Sequence, residues 1–205
     1  MNNETHGVCP QASSRHQSTT LLVSTGIITS FTGSAIVNAA NRGCLGGGGV
    51  DGAITPAGGA ALAEARKALL EIEDPNEPNL KCRCPTGHAK LTVSGDLPCE
   101  FVIHAVGPNY NGLTDRDGHA LLSSAYRNSM AVAKEANITS IAFSLLSAGV
   151  FRGGQSLERV LKIAVDTVRD NVWEGLEEVH FMAFKEEEKL ILQELLVGDT
   201  ATHTV

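Results

Sequence analysis

Two glycine-rich stretches are the places where this chain could do chemistry. The first runs Cys44-Leu45-Gly46-Gly47-Gly48-Gly49-Val50-Asp51-Gly52, and the second runs Ser147-Ala148-Gly149-Val150-Phe151-Arg152-Gly153-Gly154. Glycine lets backbone N–H groups approach an anion closely. A helix N-terminus behind such a loop adds partial positive charge, so each stretch suits a phosphate. Residues 47–52 also satisfy G-x-G-x-x-G, but a run of four glycines meets that pattern easily, and alone it is weak. No G-x-x-x-x-G-K-[ST] occurs, which disfavours a P-loop NTPase. Just ahead of the first run stand Asn38 and Asn41. Their carboxamides suit sugar hydroxyls, and equally suit turn formation. Asp51 reads two ways. It is a helix N-terminal acid, favourable by about 0.3–1 kcal/mol, or a carboxylate beside a bound sugar that orients or deprotonates a water.

These loops need a frame. Residues 20–23, 34–37, 89–93, 101–106, 141–146 and 179–184 read as apolar, β-rich strands. Ile141 to Leu146 is a continuous apolar run, the pattern of a central strand covered on both faces. Between the strands come helical stripes: Leu62, Ala65, Leu69 and Ile72; Leu122, Ala125, Tyr126, Met130 and Ala133; Leu157, Val160, Leu161, Ala164, Val165 and Val168; and Leu190, Ile191 and Leu195. Ser156 is placed to cap the third of these. Strands alternating with helices predict an α/β protein, with helices on both faces of a largely parallel sheet. Ligands of such sheets bind beyond the carboxyl ends of the strands, where both glycine loops fall.

Composition narrows the partners. Lys and Arg number 16 against 23 Asp and Glu, a formal net charge of −7 that argues against a general nucleic-acid grip. No run reaches the ~20 apolar residues of a membrane span. Residues 1–20 lack an apolar core of the signal-peptide kind and read as a polar tail, 21–197 as one domain, and 198–205 as a second tail. The five cysteines are Cys9, Cys44, Cys82, Cys84 and Cys99, an odd count that suits a reduced intracellular protein, cytoplasmic or nuclear. Cys82-x-Cys84 with His88 is not a standard zinc spacing, and no metal or cofactor is expected. His104, inside an apolar strand, reads as a packed, satisfied histidine, and Glu186-Glu187-Glu188-Lys189 as a solvated first helical turn.

Four motifs in order resemble the macrodomain family. They are residues 35–41 (AIVNAAN) with 45–54 (LGGGGVDGAI), 84–92 (CPTGHAKLT), 102–108 (VIHAVGP) and 145–151 (LLSAGVF), and the likeness spans about 21–196. The resemblance implies a three-layer α/β/α sandwich with a mostly parallel mixed sheet and an ADP-ribose pocket. It is closest to the branch of O-acetyl-ADP-ribose deacetylases and mono-ADP-ribosyl hydrolases. By that likeness Asn41 holds the distal ribose and Asp51 activates or positions water. Gly48, Gly49 and Val50 lie against the ribose and phosphates, and Ser147, Ala148, Gly149, Val150 and Phe151 form the diphosphate loop, whose aromatic packs beside the distal ribose. Asn38 is assigned to the same ligand. Family members usually carry Gly-Asp-Ile-Thr after the first strand, with the Asp on the adenine amino group. Here the segment is Gly26-Ile27-Ile28-Thr29. Ile27 has no side-chain acceptor, the Ile28 backbone N–H remains, and Phe184 is the expected adenine stacking surface, or else a core residue. The expected partners are ADP-ribose and ADP-ribosylated proteins, the expected reaction hydrolysis of ADP-ribosyl or acetyl esters. A non-catalytic ADP-ribose reader and an ADP-ribose 1″-phosphatase are the alternatives. A nicotinamide-dependent oxidoreductase would rest on the G-x-G-x-x-G match alone.

Overall fold

A computed structural model describes residues 19–73 and 81–197; the tails at 1–18 and 198–205, with Cys9, lie outside the described residues. Six strands form one sheet: β1 (Thr20–Thr25), β2 (Ala35–Ala39), β3 (Ala89–Val93), β4 (Phe101–Ala105), β5 (Ser140–Phe143) and β6 (Glu178–Ala183). Their spatial order is β1-β6-β5-β2-β4-β3, all neighbours parallel except the antiparallel β3–β4 pair. The helices are α1 (Gly49–Lys67), α2 (Asp115–Glu135), α3 (Leu157–Arg169) and α4 (Glu186–Val197).

Alternation along the strands divides the core in two. Ala35, Val37, Ile103, Ile141, Phe143 and Phe181 point to the face covered by α2, α3 and α4, and join Leu122, Tyr126, Leu161 and Leu192. Ile36, Val102 and Ala142 point the other way and meet Ile54 and Leu62 of α1. The expected three layers are therefore present, with α1 alone among the four helices on its side.

Three details differ from the sequence reading. Helix α1 stops at Lys67, so Leu69 and Ile72 fall outside it, and the Ile72 N–H donates to the Cys82 carbonyl at 2.7 Å. β5 ends at Phe143, although the apolar run continues to a buried Leu146 whose N–H donates to the Tyr126 hydroxyl. An apolar run reports burial, and burial outlasts the strand. Glu188 is not solvated. Its Oε2 accepts the N–H groups of Phe184 and Lys185 at 2.8 and 2.9 Å, closing the start of α4. Ser156 caps α3 as expected, its Oγ accepting the Arg159 N–H.

Candidate active site

The strand order brings the two glycine loops together. β2 pairs directly with β5, so the loops that leave their carboxyl ends, 42–49 and 147–154, lie side by side. Beyond Gly48, Gly49 and Gly149 no atom lies within 4 Å of where a Cβ would stand, so both loops face open space. Gly49 has φ +60° and opens α1, aiming the helix N-terminus at that space.

Asn41 and Asp51 converge at one glycine. A Cβ on Gly47 would sit 3.2 Å from Asn41 Nδ2 and 3.2 Å from Asp51 Oδ2, so a side chain there would wedge between them. Asn41 is exposed and bent over its own loop. Its Oδ1 accepts the N–H groups of Gly43 and Cys44, both at 3.1 Å, and its Nδ2 donates to the Gly46 carbonyl at 2.8 Å.

Asp51 lies in the first turn of α1 and is buried. Arg66, beyond the kink that a non-helical Gly59 puts in α1 and a residue the sequence reading passed over, reaches back to it. Arg66 Nη1 stands 2.8 Å from Asp51 Oδ1 and Nη2 3.1 Å from Oδ2, with the two side chains 1% and 2% exposed. Arg66 Nη1 also donates to Thr55 Oγ1 at 2.9 Å, and its Nε donates to the Cys44 carbonyl. Only a paired, hydrogen-bonded guanidinium is tolerable at such depth.

Asn38 does not face the cleft, which corrects its reading as a ligand contact. It is fully buried, on the sheet face beneath α1. Its Nδ2 donates to Asp51 Oδ1 at 2.9 Å and lies 3.2 Å from His104 Nδ1. His104 is its register partner on β4, with Nε2 2.9 Å from Thr92 Oγ1. An amide donor on Nδ1 assigns the neutral tautomer with its proton on Nε2. Burial, and then the positive charge of Arg66, hold the His104 pKa down at about 3. The histidine is packed and satisfied, as expected, and it backs Asn38, which backs Asp51.

In the second loop Ser147 is a non-glycine residue at φ +56°, a strained backbone held by its Oγ donating to the Pro108 carbonyl at 2.7 Å. Val150 and Phe151 lie in a single 3-10 turn, Val150 almost wholly exposed. Ser147 and Ala148 follow β5 after the three residues 144–146.

Two cavities flank these loops. A larger one, about 780 Å³, lies beyond β2 and β4 and is lined by Asn41, Asn109, Leu121 and Phe151 among others. A smaller one, about 380 Å³, lies beyond β1 and β6 and is lined by Gly26, Ile27, Phe184 and Lys189. Phe184 is 87% exposed and Ile27 66%, so Phe184 is no core residue, whereas the Ile28 side chain is buried.

The Cys82/Cys84/His88 set does not assemble. Cys44, Cys82, Cys84 and Cys99 are free thiols, and the exposed His88 has Nδ1 3.3 Å from the Thr86 carbonyl. The Cys84 thiol instead lies in a buried cluster with Cys44, its Sγ near the His104 carbonyl, and the thiol–thiol interaction lowers the Cys44 pKa and, together with burial, raises that of Cys84. Among the described residues no group of three His, Cys, Asp or Glu could hold a metal, and no helix is long and apolar enough to cross a membrane.

Known proteins are similar to this chain in sequence and fold. A protein named O-acetyl-ADP-ribose deacetylase from Klebsiella pneumoniae (strain 342) is 44% identical over 175 residues, 84% of this chain and 94% of that protein. The Oceanobacillus iheyensis macrodomain solved with ADP superposes with TM-score 0.74 at 36% identity, over 89% of this chain and 92% of that one. The Trypanosoma brucei macrodomain in complex with ADP-ribose does so with TM-score 0.69 at 32% identity, over 89% and 69%. The Macro domain family profile matches residues 37–164, which include the end of β2, both glycine loops and the Asn41–Asp51 pair. On its fold, its loops and these matches together, the chain belongs to the macrodomain family.

Proposed function

We propose that this protein is an ADP-ribose-binding hydrolase that deacetylates O-acetyl-ADP-ribose and removes mono-ADP-ribose from acidic side chains of proteins. The observation that carries the reading is the convergence of the Asn41 amide and the Asp51 carboxylate on Gly47, between two open glycine loops on adjacent strands. The relatives named for deacetylation, and those solved with ADP or ADP-ribose, support it.

The ligand runs along the carboxyl ends of the sheet. Adenine lies in the smaller cavity against Phe184, beside Ile27 and the Ile28 backbone. The diphosphate crosses Gly48, Gly49, Val50 and Ser147 to Val150, taking backbone N–H groups from both loops. The distal ribose reaches Asn41 and Phe151 at the larger cavity. There the Asn41 amide meets the sugar hydroxyls, Phe151 packs on the ring, and Asp51 Oδ2 aligns the attacking water. Water adds at the ester linkage, the carboxylic acid leaves, and the protein supplies mainly orientation.

Release of ADP-ribose from a Glu-modified protein, and of acetate from O-acetyl-ADP-ribose, tests the reading. Turnover by the wild type that Asp51→Asn strongly reduces is the expected result. The engagement of both Asp51 oxygens by Arg66 favours one alternative, a reader that binds without turnover. Tight calorimetric binding of ADP-ribose with neither product formed would establish that reader.

A further inference from the structure

We propose that Arg66 is a positioning residue of the hydrolytic site, joining Asp51 and the Asn41 loop into one rigid unit. The inference rests on the hydrolase reading above.

The connection can be followed atom by atom. The guanidinium fork takes both Asp51 oxygens, at 2.8 and 3.1 Å. Its remaining edge, Nε, donates to the carbonyl of Cys44. The N–H of that same residue donates to Asn41 Oδ1 at 3.1 Å. One residue, Cys44, thus stands between Arg66 and Asn41, and it holds a left-handed backbone at φ +55°. The path Asp51–Arg66–Cys44–Asn41 passes beneath Gly47, where the two candidate catalytic groups face each other.

Arg66 cannot act on the ligand itself, because it is 1% exposed. It acts through orientation. With the fork in place Asp51 has one azimuth, and Oδ2 stays on the Gly47 side. Thr55 and Asn38 reinforce that setting: Thr55 Oγ1 donates to the Asp51 carbonyl at 2.8 Å and accepts from Arg66, and Asn38 Nδ2 fixes Oδ1. Lysine offers the charge without the planar fork, so it could not hold both oxygens and the Cys44 carbonyl at once. Neither the glycine pattern nor the spacing of Asn41 and Asp51 points to this residue; only the fold of α1 onto β2 brings it in.

The test is a double-mutant cycle in the full chain: wild type, Arg66→Met, Asp51→Asn and the double variant. Each is assayed for both products, titrated with ADP-ribose in a calorimeter and unfolded thermally. The expected result is a loss in kcat of about 100-fold for Arg66→Met, with the ADP-ribose Kd within about threefold of wild type. The double variant should lose far less than the product of the two single losses, because Arg66 works mainly through that carboxylate. Arg66→Lys should fall between wild type and Arg66→Met, and it carries the test if the methionine variant does not fold. Multiplied losses in the double variant, an Arg66→Met defect confined to affinity, or wild-type kcat in Arg66→Lys would overturn the proposal while leaving the hydrolase reading intact. A wild type that releases neither product would overturn the hydrolase reading, and this one with it.

Discussion

Arg66 and Asp51 form an ion pair 2.8 Å long with both side chains shut away from water. The pair couples stability to the site. Removing one partner strands the other charge, which typically costs about 3–5 kcal/mol, whereas removing both can be nearly neutral. Asp51→Ala should therefore lower the urea midpoint sharply, and adding Arg66→Met should recover much of the loss. Chemical denaturation of the three variants checks this; a double variant less stable than Asp51→Ala would contradict it.

Acid should weaken the fold through His104. Its pKa is about 3 when folded against 6.5 for a free histidine, so the unfolded chain binds the extra proton in between. The stability held by the neutral ring is complete above pH 6.5 and drains as pH falls toward 3. The slope for one proton is about 1.4 kcal/mol per pH unit inside that window. Unfolding free energies measured from pH 7 to pH 4 should show this slope, and His104→Gln should flatten it by one proton.

Phe184→Ala should separate binding from folding. The ring is exposed, so its loss should change stability by no more than about 0.5 kcal/mol. Stacking on a base is worth about 1–3 kcal/mol, so ADP-ribose affinity should fall between about fivefold and 150-fold. Calorimetry beside thermal unfolding reads both.

Ile27→Asp should move affinity the other way. The residue lines the smaller cavity and is mostly exposed, so a carboxylate there stays hydrated until adenine arrives. A charge-assisted hydrogen bond of about 1.5–3 kcal/mol should tighten ADP-ribose binding by about tenfold or more. Titrating an analogue that lacks the exocyclic amino group should show no gain.

Gly107→Ala should disturb the second loop from behind. A Cβ there would stand 2.5 Å from Ser147 Oγ, which is already committed to Pro108. We expect a loss of about 1–3 kcal/mol in stability and weaker ADP-ribose binding, read by urea unfolding and calorimetry.

Much of this was legible in the residues. Apolar runs located the six strands and 3.6-residue stripes the four α-helices, because a strand covered on both faces is apolar throughout and a helix covered on one side leaves a stripe. The glycine runs marked the cleft, because few other residues let a backbone approach an anion. What was not legible depended on tertiary contact. Asn38 and Asn41 look alike in sequence, yet the pleat turns one under α1 and leaves the other at the surface. Arg66 sits on a helix stripe like any solvated arginine until α1 is laid over β2. Glu188 reads as one of three surface acids, and only the turn at Phe184 gives it two N–H groups to accept.

The sequence of strands across the sheet has a consequence for substitutions. Ile27 and Phe184 hang from β1 and β6, whereas Asn41 and the Asp51 assembly hang from β2 and the helix that covers it, with β5 interposed. Substitutions at 27 or 184 are consequently separated by a whole strand from the Asn41–Asp51 assembly, so one end of the cleft can change without disturbing the other.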